Sequence, residues 1–427
     1  MLTYLKNICL QYKSIAKNSF YLSIVDGIKL LLPFIAMPYI IRVCGVENYG
    51  KIIFAQTVIF YFTMFVNFGL NTYAVREVAV NTDSIIKISK LASTFIALRL
   101  IFTILSFVVL LILTIFIPLL NEIKLLLFFA FFSVIAEIFS MTPFFQGIEK
   151  MSNITIIQFI AVVFYIVTLI TFVRTPDRYI YVPLLQAVGM LLAAIVGVIV
   201  LCVRYNVRLV FPSLYDIVFM TKASISFALS RMSVVINLNI SRIFTGAVLG
   251  MHELALVDLA QKIFDAALIP AGIVDQAVYP HNAKKQDRSF ATRTFYLIIL
   301  LGAVCAGLML AGAPLAVNYF GCGKLNAAIP LIYWLGIKVF FSTPGWYMGT
   351  SVLVAFGYAK QFNMSAIYST GINLSIYTIL FLCNKLTLNA VIAILIFESV
   401  FIFAYEMYYC LKYKLLYLSI RNLNSKG

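Results

Sequence analysis

A chain of 427 residues that is 63% hydrophobic and 11% charged, with a mean hydropathy of +1.01, lies far from soluble domains, where about a quarter of residues are charged. Composition alone makes it a polytopic membrane protein. The net charge of +16 is carried by Lys and Arg in short segments between apolar runs, which points to membrane topology and away from nucleic acid.

In chain order, Lys6, Lys13 and Lys17 precede the first apolar run, in the manner of a signal peptide. That run is long, contains Pro33 and Pro38 and has no small-x-small cleavage site, so it is expected to stay as a span. Twelve apolar runs of membrane-crossing length follow one another, at approximately 19–41, 52–75, 92–117, 125–145, 154–173, 184–203, 225–248, 257–280, 294–317, 329–356, 364–383 and 389–411. Most of the 32 Lys and Arg fall in the segments that an N-in, C-in topology places in the cytoplasm.

Two internal matches point to a tandem duplication. Val43-x-Gly45…Ala55-Gln56 recurs as Val248-x-Gly250…Ala260-Gln261, and QGIEKMSN from Gln146 matches FGYAKQFN from Phe356. The expected architecture is an all-α membrane protein, with twelve transmembrane helices in two pseudo-symmetric six-helix lobes around a central cleft. Residues 1–203 form the N-terminal lobe, 204–224 a cytoplasmic linker, and 225–427 the C-terminal lobe with a short cytoplasmic tail. The linker, RYNVRLVFPSLYDIVFMTKAS, places Arg204, Arg208 and Lys222 around an apolar middle, and reads as an interfacial amphipathic segment or a plain basic loop.

Neither a P-loop nor GxSxG nor HExxH is present, so no enzymatic constellation is indicated. Seven cysteines without a CxxC pair and two histidines suggest no disulfide framework, metal or cofactor. What stands out is ionisable residues inside the apolar runs, where each charge costs about 2.5–3.5 kcal/mol on insertion scales and faces a bundle interior or wet cavity. Asp26 and Lys29 share a face of the first span, as a structural ion pair or as a substrate or proton site. Asp258, Lys262 and Asp265 trace one stripe of the eighth span and are expected to line a cavity. Arg231 in the seventh adds a cavity cation, unless it snorkels to the cytoplasmic end. Arg42 and Arg242 lie nearer outer ends, where snorkelling is the expectation. Asp275 and Glu398 are candidate proton carriers, Tyr39, Tyr61 and Tyr73 candidate sugar contacts. Pro33, Pro38 and Pro344-Gly345 permit bends that serve either alternating access or packing.

The stretches LLPFIAMPYIIRVCGVENYGKIIFAQ, NFGLNTYAVREVA and FFQGIEKMSN, and later VLGMHELALVDLAQKI, resemble the polysaccharide-exporter branch of the multidrug/oligosaccharidyl-lipid/polysaccharide flippase superfamily, specifically Wzx-type O-antigen flippases. The resemblance implies a protein of the bacterial inner membrane, with both termini cytoplasmic. It implies transport of undecaprenyl-pyrophosphate-linked oligosaccharide from the cytoplasmic to the periplasmic leaflet by alternating access, not enzymatic catalysis. Membrane lipids, an O-antigen polymerase and a chain-length regulator are the partners it suggests. Lys29, Arg231 and Lys262 suit the pyrophosphate, with Asp258 and Asp265 beside them, and Asp26, Asp275 and Glu398 suit ion coupling. A cation-coupled multidrug exporter of the same fold and a membrane-embedded glycan polymerase or glycosyltransferase are the alternatives. Such an enzyme usually needs a large outer loop or an acidic metal motif such as DxD, and this chain has neither.

Overall fold

The computed structural model describes Tyr21, Gly27 and residues 32–417, apart from the side chains at 226, 227, 229–235 and 238. Among the described residues the structure is helical, with no strand. The helices are α1 (Leu32–Cys44), α2 (Val46–Asn67), α3 (Leu70–Val80), α4 (Ile85–Phe116), α5 (Pro118–Glu122), α6 (Lys124–Ile138), α7 (Thr142–Gly147) and α8 (Met151–Phe172). A short 3₁₀ turn (Pro176–Ile180) leads into α9 (Tyr181–Arg204), α10 (Leu214–Phe244) and α11 (Met251–Lys285). Then come α12 (Arg288–Gly321), α13 (Ala328–Tyr347), α14 (Ala359–Leu382) and α15 (Leu388–Lys412). Two π turns, Thr245–Leu249 and Met348–Val354, interrupt the ladder after α10 and α13.

Eleven of the twelve apolar runs, and the first from Leu32 onward, fall on these segments, with α2 and α3 sharing a run and α6 and α7 another. Among the described residues, eight segments are long and apolar enough to cross a membrane. The helices overshoot the apolar runs at their ends. Glu47 and Glu253 sit in the first turns of α2 and α11, where a negative charge suits the helix N-terminus but breaks the apolar pattern.

The chain divides into two compact units, residues 1–232 and 233–427. In the first, Phe95, Leu98, Phe144 and Phe145 pack with Val78 of α3. In the second, Phe295, Ile298, Tyr347 and Leu353 form the corresponding cluster. Only 28–44% of each apolar window is buried, and Ile115, Phe116, Leu308 and Leu315 are largely exposed, as a surface solvated by lipid requires. Lipid supplies little drive for helices to associate, so small residues that allow close approach matter more. At Gly189 of α9 a Cβ would lie 2.8 Å from the Ala161 carbonyl of α8.

The duplication is visible in the backbone. Gly45 and Gly250 cap α2 and α11 with the same geometry, φ 88° and ψ 167° against φ 110° and ψ 174°, a region essentially reserved for glycine. The second internal match holds with a corrected register. The alignment paired Gly147 with Gly357, 210 residues apart, whereas the bonds pair residues 208 apart. The Lys150 amide donates to the Phe145 carbonyl at 2.8 Å, and the Tyr358 amide to that of Leu353 at 2.7 Å. Glu149, not Gly147, is therefore the counterpart of Gly357, both with positive φ (58° and 92°). The same register places the Asn153 amide on the Tyr205 hydroxyl and the Gln361 amide on that of Tyr413, each at 3.0 Å.

Candidate functional site: embedded ion pairs of the C-terminal unit

α11 carries the charged stripe, and its Asp258 is paired both across to α10 and along the stripe. Asp258 is 2% exposed and accepts from Arg242 Nε of α10 at 3.0 Å and from Lys262 Nζ, one turn along α11, at 2.6 Å. The two cations are 18% and 26% exposed, so a buried anion holds two side chains that still reach accessible space. Arg242 also donates to Asn239 Oδ1 at 3.2 Å. The triad has one carboxylate for two cations, a net charge of +1.

A second group completes the site. Lys338 of α13 pairs with Glu398 of α15 at 3.5 Å and sits 4.8 Å from the Phe264 ring of α11. Glu398 accepts from Asn237 Nδ2 of α10 at 2.5 Å, and Asn237 accepts from Asn373 of α14 at 2.8 Å. Asp265 is exposed and lies in the combined field of Arg242, Lys338, Asp258 and Lys262, linking the two groups electrostatically. Three cations and three carboxylates thus meet within one unit. Charged groups in lipid persist where such partners satisfy them. Among the described residues no group of His, Cys, Asp and Glu is suited to hold a metal.

Lys262, Asp258, Asp265 and Glu398, picked out in the sequence, are brought together here. Asp275 is held separately: it is 6% exposed and accepts from the Thr350 hydroxyl at 2.7 Å and from that of Ser351, both in the π turn after α13. Asp26 and Lys29 lie outside the described residues, and Arg231 is on α10 with its side chain outside them. Arg242 corrects an expectation. It does not snorkel but pairs with Asp258, because the π turn beginning at Thr245 sets the end of α10 against α11. Tyr39 gives its hydroxyl to the Ile170 and Val173 carbonyls, which ties α1 to the end of α8 instead of presenting it to a sugar.

Sequence reasoning did not single out Asn237 or Asn373, and Lys338 and Glu406 counted there only among the ionisable residues inside the apolar runs, without a role of their own. Asn237 and Asn373 are polar interruptions of apolar helices, a usable signal; the Lys338–Glu398 pairing spans 60 residues and has none. Glu406 is 1% exposed, and its Oε1 accepts from Ser365 at 3.0 Å.

An apolar helical protein with paired charges inside its spans has the construction of a membrane transporter, and the solved structures it is similar to share that fold. The structure titled lipid II flippase MurJ, inward closed conformation, has a TM-score of 0.70 at 12% identity, covering 94% of this chain and 88% of that one. The inward-facing conformation of a multidrug resistance MATE family transporter of the MOP superfamily gives 0.65 at 14% identity, covering 93% and 96%. The chain belongs to the polysaccharide biosynthesis protein family, whose model matches residues 15–286. Two curated relatives, each named "Putative O-antigen transporter", come from Escherichia coli (strain K12) and Shigella dysenteriae. The first is 23% identical over 366 residues, 82% of this chain and 86% of the relative, and the second 25% identical over 315 residues, 71% and 78%. The family resemblance read from the motifs is borne out.

Proposed function

We propose that this chain moves undecaprenyl-pyrophosphate-linked O-antigen repeat units from the cytoplasmic to the periplasmic leaflet of the bacterial inner membrane, by alternating access, with both termini cytoplasmic. The observation that carries the reading is the Arg242–Asp258–Lys262 triad, a buried carboxylate holding two accessible cations. A pyrophosphate entering a low-dielectric region needs charge-assisted donors, and guanidinium and ammonium groups supply them. Lys262 is assigned to the pyrophosphate, as Lys29 and Arg231 are on the reading of the sequence. Asp258 positions the cations, and Asp265 lies beside them. The family and the names of the relatives support the class of cargo.

Ion coupling is assigned to Asp26, Asp275 and Glu398. Glu398 already pairs with Lys338 and Asn237, so a change in its charge would reach both α10 and α13. A polymerase and a chain-length regulator receive the units on the far side, and no step within this chain is enzymatic.

The reading is tested in a bacterium that lacks its own copy and is complemented with variants. Alanine at Lys29, Arg231 or Lys262 should abolish surface O-antigen while the protein remains in the membrane. Normal surface polysaccharide from all three variants would exclude this site.

A further inference from the structure

The segment joining α9 to α10 is fastened to α4 by its backbone. The Arg208 amide donates to the Ser89 hydroxyl at 3.0 Å and the Val210 amide to that of Ser93 at 2.9 Å. Ser213 and Asp216 then start α10, the Ser213 hydroxyl bonding the Asp216 carboxylate and accepting its amide. Between this fastened segment and the first turns of α4 lies an open cavity of about 600 Å³. Its apolar wall includes Ile86, 79% exposed, and Phe211, fully exposed, while Leu214 and Tyr215 beside it are 81% and 75% exposed.

So much apolar surface at one place marks an interaction site, and in an apolar helical chain of this kind lipid is the phase that meets it. The cations at the same place define which lipid. Lys90 pairs with Asp216 at 2.8 Å, and that ammonium, with the Ser213 hydroxyl, holds the partly buried Asp216 carboxyl below the usual range. The Lys90–Asp216 pair therefore adds little net charge at neutral pH, and the exposed Arg208 guanidinium on the cavity wall gives the cavity its positive sign. Arg208 keeps its planar fork for a ligand, since the tie to α4 uses its backbone amide and not its side chain.

We propose that this cavity of the N-terminal unit is a binding site for an anionic glycerophospholipid of the adjacent leaflet, with the headgroup phosphate on Arg208 and an acyl chain along Ile86 and Phe211. The site is independent of the cargo carried through the protein, and needs only its place in a membrane. One basic side chain near an anionic membrane surface is worth about 1 kcal/mol, which corresponds to about a fivefold preference.

The test uses the full chain, purified in micelles and offered equal amounts of phosphatidylglycerol and phosphatidylcholine, with bound lipids counted by native mass spectrometry. Wild type and K385Q, an exposed lysine of the other unit, should retain phosphatidylglycerol about fivefold over phosphatidylcholine. R208Q should bring that ratio to parity, and F211S should lower retention of both lipids. Equal retention of the two lipids by wild type, or an unchanged preference in R208Q, would overturn the proposal. So would undiminished retention in F211S. Both substitutions replace exposed side chains, so loss of fold does not confound the comparison.

Discussion

The two units share a frame and differ in where they bury charge. In the N-terminal unit the embedded cation is sealed. Arg99 of α4 is 0% exposed, and one of its nitrogens donates to the Asn67 and Asn71 side chains at 2.5 and 2.6 Å. The guanidinium pairs with Glu137 at 3.1 Å and bonds the Glu137 and Ser140 carbonyls, where the helix breaks between α6 and α7, and it lies 4.1 Å from the Phe95 ring. This arginine caps a broken helix inside the membrane. In the C-terminal unit, Arg242, Lys262 and Lys338 remain 18%, 26% and 13% exposed. There, charges are held for use.

The exchange is visible position by position. Ser89 and Thr292 both accept the amide of the segment that follows their unit's sixth rod, Arg208 and Tyr417 respectively. In that register Arg99 falls on Gly302, which packs on Thr343 with its would-be Cβ at 3.1 Å. Counting from the cap glycines, Asp258 and Lys262 fall on Ile53 and Thr57, and Thr57 merely bonds its own helix at 2.7 Å. Before the caps, the Gly45 amide reaches back to Ile41, while that of Gly250 reaches one residue further, to Thr245. That extra residue forms the π turn next to Arg242, and such turns recur at functional sites. Duplication preserved the caps and turns, and each copy placed its charges anew.

The largest effect should come from the sealed Arg99. Arg99→Leu strands Glu137 and the uncapped carbonyls, and removing one partner of a buried pair costs about 3–5 kcal/mol. Thermal unfolding in detergent should show it, and the double variant with Glu137→Gln should recover part of the loss. Asp258→Asn comes next. It leaves Arg242 and Lys262 without the carboxylate that bridges them and removes two charged hydrogen bonds, each worth about 1.5–3 kcal/mol before discount for partial exposure. Transport should fall further than stability, the reverse of Arg99→Leu; equal losses in both assays would erase the contrast between the units. Gly45→Ala and Gly250→Ala should each cost about 1–3 kcal/mol from backbone strain alone, and by similar amounts if the caps are equivalent. The smallest effect, about 1 kcal/mol, is expected for Tyr205→Phe and Tyr413→Phe, each removing one hydrogen bond at matched places.

The spans were legible because a bilayer forces every backbone group into an apolar helix, a constraint that leaves its trace in composition. The Asp258–Lys262 pair was legible too, since four residues make one helical turn. Arg242 was not. Its distance from the end of an apolar run says nothing about which way it points around the helix, and the π turn that orients it has no sequence signature. Arg99 with Glu137, and Lys338 with Glu398, meet only through packing of separate helices. Glycine identity misled once: Gly147 looked like the partner of Gly357, yet a Cβ on it would stand 2.6 Å from Val78, so that glycine answers to close packing and not to a turn.

The central claim is that the accessible cations of the C-terminal unit receive the anionic head of the cargo. The direct measurement is the affinity of purified protein for a polyprenyl-pyrophosphate-linked sugar, compared between wild type, Lys262→Gln and Tyr205→Phe. Lys262→Gln should weaken binding by about tenfold or more, the scale of one charge-assisted contact, while Tyr205→Phe should leave it unchanged. Unaltered affinity in Lys262→Gln would contradict the claim.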